Sequence, residues 1–70
     1  MDFQLKSEFI ALDNLLKNLG LVVNGVAAKQ VIVSGEVRVN NQSESRIRRK
    51  LRAGDYVEFR QQRINIVRGF

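Results

Sequence analysis

Near residue 36 the spacing of apolar residues changes from a helical period to an alternating one. Over residues 8–19, EFIALDNLLKNL, Phe9, Leu12, Leu16 and Leu19 recur at intervals of three, four and three. That spacing predicts a helix with one apolar face, which Leu15 widens. Asp13, Asn14, Lys17 and Asn18 fall on the opposite face, with Asp13 and Lys17 as an i, i+4 ion pair. Ser7 serves as its N-cap and Gly20 as its stop. Residues 25–34, GVAAKQVIVS, predict a second helix, capped by Asn24 and ended by Gly35. Ala27, Ala28, Val31 and Ile32 form its inner face, and the two alanines permit close approach to the first helix. The connection between the helices is short, so they pack as an angled pair.

Residues 2–6 alternate polar and apolar and predict a short first strand. From Glu36 onward the period is two. Val37 and Val39 face one side and Arg38 the other, and Asn40-Asn41 forms a turn. A second turn falls at residues 53–55. A hairpin follows, with Val57 and Phe59 inward, a turn at Gln61-Gln62, and Ile64 and Ile66 on the return. Two helices followed by a small antiparallel sheet make an α+β layer architecture.

Seventy residues fit one small domain with a thin core. There is no cysteine and no histidine. Disulfide staples and the usual zinc, haem and iron–sulfur ligands are therefore missing, and no cofactor or metal is expected. The lack of cysteine fits a reducing cytoplasm. No stretch approaches the roughly 20 apolar residues of a membrane span, and the N-terminus lacks the pattern of a secretory signal. The commonest general bases and nucleophiles are absent and the glycines occur singly, so neither catalysis nor a phosphate-cradling glycine loop is expected.

Charge is what gives the chain a direction. Its 12 basic and 7 acidic residues leave a net charge of +5. All of that excess lies in residues 37–53, where Arg38, Arg46, Arg48, Arg49, Lys50 and Arg52 meet a single acid, Glu44. Elsewhere the charges cancel. A concentrated basic segment suits a polyanion, and the planar fork of arginine suits phosphate. A solvated strand edge would also be basic, with Ile47 and Leu51 as its anchors. Arg38, on the outward face of the preceding strand, favours the binding surface. A second candidate is the start of the second helix, where Asn24 and Lys29, with Lys17 nearby on the first helix, could receive an anion. Taken singly, Asn24 is also a plain helix cap and Lys29 a solubilising lysine. Few aromatic residues are free to stack on bases, so backbone and shape are the expected features read.

Residues 11–41 then resemble a known pattern. Leu12, Asp13, Leu16, Gly20, Ala28, Lys29, Ile32, Gly35, Val37, Val39 and Asn40, followed by Leu51, Gly54, Asp55 and Val57, match the small RNA-binding domain named after the fourth protein of the small ribosomal subunit. The match spans about residues 9–60 and is similar to the short, free-standing bacterial members. The resemblance implies an αL motif, in which two packed helices lie against a small bent antiparallel sheet, as one RNA-binding domain over residues 1–70. It also implies structured RNA, ribosomal or transfer, as the ligand of a cytoplasmic, monomeric, non-enzymatic protein linked to ribosomes or RNA processing. By position, Asn24, Lys29, Arg38, Arg46, Arg48, Arg49, Lys50 and Arg52 become the RNA-facing residues. Ala11 and Gly25 stand where many members carry basic residues. A protein-interaction module meeting an acidic partner, and non-specific DNA binding, remain the alternatives.

Overall fold

The computed structural model describes residues 1–70. In chain order it contains β1 (Asp2–Leu5), β2 (Ile10–Ala11), α1 (Leu12–Asn18), α2 (Gly25–Val33), β3 (Val37–Val39), β4 (Gln42–Ser43), β5 (Lys50–Leu51), β6 (Tyr56–Phe59) and β7 (Gln62–Arg68). Five strands form one sheet in the order β1-β7-β6-β3-β4, and β2 pairs with β5 in a separate two-stranded ribbon. The two helices pack against one face of the larger sheet, so the α+β class holds. That sheet is mixed rather than purely antiparallel, because β1 runs parallel to β7 with Asp2 opposite Asn65 and Leu5 opposite Arg68.

The core follows the two periods. Leu12, Leu15 and Leu16 of α1 and Ile32 of α2 meet Val37, Val39, Val57, Phe59, Ile64 and Ile66 of the sheet, all at most 2% exposed. Alternation along β3, β6 and β7 puts the intervening residues on the outer face. Ala28 is fully buried, as close helix contact requires.

Both helices stop in the same way. Gly20 has φ +70° and Gly35 φ +86°, a left-handed conformation that glycine adopts without steric cost. The N–H of Leu21 donates to the Leu16 carbonyl and that of Gly20 to Lys17; Glu36 and Gly35 repeat this with Val31 and Ile32. These paired bonds satisfy the carbonyls left free at a helix end.

The start of α1 departs from the periodicity. The helix begins at Leu12 rather than at residue 8, and its N-cap is Ala11, with no side-chain capping bond. Ser7 bonds instead to the Phe9 carbonyl. Residues 10–11 are extended and pair with β5, Ile10 opposite Leu51 and Ala11 opposite Lys50. Phe9 consequently leaves the core and is 39% exposed. Helical spacing alone cannot distinguish a short strand leading into a helix from the helix's first turn. Asp13, assigned by spacing to the solvent face, is only 8% exposed. The last hairpin also shifts by one: its turn is Arg60-Gln61, with φ of 50° and 68°, and Gln62 already pairs with Phe59.

Candidate nucleic-acid interface

The basic segment is docked, backbone first, onto the start of α1. The N–H of Leu12 donates to the Arg49 carbonyl at 2.8 Å, and that of Asp13 to the Ile47 carbonyl at 3.1 Å. The loop thus takes the place of the missing N-cap. Leu51, fully buried, anchors its far end through the β2–β5 ribbon. At the other side Asp55 Oδ2 accepts from the Arg52 N–H at 2.8 Å. Asp55 Oδ1 accepts from the Asn40 side chain, which itself accepts from the Tyr56 N–H. The two turns are therefore tied to each other.

Clustered cations at the positive end of a helix dipole are unfavourable unless acids offset them. Glu44 and Asp13 do so. Glu44, 7% exposed, accepts from the Arg46 N–H and Nε through Oε2, each at 3.0 Å, and from Arg46 Nη2 through Oε1, also at 3.0 Å. Arg49 Nη1 donates to the same Oε1 at 2.6 Å. The forked Arg46 hydrogen bonds, followed by those from Arg49 and the backbone, outweigh burial and lower the Glu44 pKa from 4.5 to about 2. The Arg46 pKa is raised by the same pair. Arg48 Nη1 donates to Asp13 Oδ2 at 3.3 Å, while Asp13 Oδ1 is buried without a partner.

These bonds leave two of the three guanidinium groups displayed, while the Arg49 side chain is 26% exposed. The Arg46 and Arg48 side chains are 70% and 69% exposed, and each uses only part of its fork internally. Arg46, Arg48, Arg49 and Lys50 alone line an open basin of about 450 Å³. Ion pairs thus lie at the floor of this basin and free donors at its rim.

The other expected residues are dispersed. Arg52 turns away from the basin; its guanidinium lies 5.7 Å from the centre of the Phe9 ring, and it lines a depression with Glu8, Arg68 and Phe70. Arg38 lies on the outer face of the sheet between Ser43 and Glu58 and does not border the basin. Asn24 caps α2, its Oδ1 accepting from the Ala27 N–H at 2.9 Å. Lys29 is exposed along α2 beside Val26, Gln30 and Val33. A Cβ on Gly25 would lie 4.0 Å from Lys17 Nζ, so Lys17 does stand at the start of α2. Glu44 and Asp13, which the charge pattern does not assign to the surface, support it from below. The available signal was that Glu44 is the only acid in the basic quarter of the chain.

Comparison with known proteins agrees with this architecture. The S4 domain family profile matches residues 3–67. The solution structure of YbcJ from E. coli is 36% identical, with a TM-score of 0.70, and the match covers 94% of this chain and 85% of that one. That structure is described as revealing an αL motif involved in RNA binding. No curated protein matches significantly. The profile match over nearly the whole chain and the likeness to YbcJ together show that the chain belongs to the S4 domain family.

Proposed function

We propose that this chain binds structured RNA, of the ribosomal or transfer class, by seating its phosphate backbone in the Arg46–Lys50 basin. Membership of the S4 family and the RNA-binding motif of the E. coli relative support the ligand class. The observation that carries the site is the basin itself, lined by four cations and no other residue. Arginine forks held from below by Glu44 and Asp13 lose little conformational freedom on meeting phosphate, which favours binding. No aromatic ring lines the basin, so it reads backbone and shape rather than bases. Arg38 and Lys29 act at longer range, adding to the field that orients the RNA. A cytoplasmic location belongs to the same reading.

The test is competition at one fixed salt concentration. A labelled RNA hairpin is displaced by unlabelled hairpin, duplex RNA, DNA of the same sequence, or polyglutamate. Preferential displacement by structured RNA is the expected result. Equal displacement by DNA would reassign the basin to general polyanion binding. Displacement by polyglutamate alone would favour an acidic protein partner.

A further inference from the structure

A groove of about 330 Å³ runs between β1, the segment leading to β2, and the end of α1. Phe3, Phe9 and Ile10 supply apolar wall, and Gln4, Lys6 and Asn18 supply polar groups. Phe9 connects this groove to the basic loop. Its ring lies 4.9 Å from Lys50 Nζ and 5.7 Å from the Arg52 guanidinium, measured to the ring centre. Lys50 in turn lines the phosphate basin. One half-exposed aromatic residue thus has cations over it and a half-apolar cleft beside it.

We infer that this groove takes one unstacked nucleobase of an RNA whose backbone lies on Lys50 and the adjoining arginines. The inference rests on the RNA-binding reading of the basin and adds a base-specific contact to it. The chemistry of a nucleotide matches the arrangement in order: phosphate toward Lys50, which lines the basin, a flat aromatic ring against Phe9, and base-edge donors and acceptors toward the amides of Gln4 and Asn18. Those two amides each offer both a donor and an acceptor. A cavity of this size is at the small end for ligand sites, which suits a single base better than a larger molecule. Bases stacked on aromatic side chains are a common means of reading single-stranded or bulged RNA. The placement also gives Phe9 a role. Its helical spacing suits the core, yet the chain holds it at the surface.

The test uses one RNA hairpin with a single bulged nucleotide, made with each of the four bases and in an abasic form. Affinity is measured over a range of salt for the full chain and for Phe9→Leu. At least one base should bind about tenfold more tightly than the abasic form. In Phe9→Leu that difference should disappear while the salt dependence persists. Phe9→Leu retains an apolar residue at a partly exposed site, and circular dichroism confirms its fold. Asn18→Ala should change which base is preferred. Equal binding of the abasic and all four intact forms, with steep salt dependence, overturns the base site and leaves the phosphate basin standing. Retention of base preference in Phe9→Leu also overturns it. Absence of binding to every hairpin at low salt overturns the basin, and the base site with it.

Discussion

Two basic regions of this protein are built in opposite ways. In the loop from Glu44 to Arg52, the cations are fixed by the fold. Two buried acids hold three arginines, and the backbone on either side is locked to α1 and β2. At the start of α2, Asn24 spends its side-chain oxygen on the helix itself, and Lys29 projects from an exposed face. The first region offers donors at set positions. The second offers only charge. The difference shows that proximity in sequence to a basic run says little about how a cation is held. What matters is whether an acid lies beneath it.

The contrast can be tested by substitutions of decreasing effect. Leu51→Ala removes the apolar anchor under the loop and should cost about 3 kcal/mol in urea unfolding, as for other fully buried leucines. Glu44→Gln weakens three side-chain bonds at once and should cost about 1–2 kcal/mol, moderated by the solvent exposure of Arg46. It should also change the acid profile. The folded-state pKa of Glu44 lies below its unfolded value, so its stabilisation is complete above pH 4.5 and is lost as pH falls toward about 2. The stability gap between the native chain and Glu44→Gln should therefore close over that interval. If the gap is independent of pH, the ion pairs do not hold the loop. Asn24→Ala should cost about 1 kcal/mol through loss of a helix cap, read as a lower thermal midpoint. Lys29→Ala should alter stability by less than about 0.5 kcal/mol.

The parts of the molecule set by the core could be read from the chain. The inward residues of β3, β6 and β7, the cap at Asn24 and the stops at Gly20 and Gly35 all depend on local chemistry and two simple periods. Three features could not be read from the chain, the first two because their partners are distant in sequence. Ile10 and Ala11 become a strand only because Lys50 and Leu51 lie alongside. β1 finds β7 at the other end of the chain and runs parallel to it. The Arg60-Gln61 turn is imposed by register: with Val57 opposite Ile64 and Phe59 opposite Gln62, only two residues remain between the strands. Arginine and glutamine give no turn signal of their own, unlike Asn40-Asn41 in the preceding hairpin. The clustering of cations is plain in the sequence, while the way they are held depends on Glu44 and Asp13, whose burial only the fold reveals.

The prearranged basin is tested most directly by the salt dependence of RNA affinity. Four phosphate contacts imply a log–log slope of roughly −3, at about 0.7 per contact for a single strand. The double substitution Arg48→Gln, Lys50→Gln keeps the Glu44 ion pairs, gives up the Arg48–Asp13 pair, and should reduce the magnitude of that slope by about 1.4. It should do so with an unchanged circular dichroism spectrum. An affinity independent of salt, or a slope unaltered by removing both charges, would contradict phosphate binding in the basin.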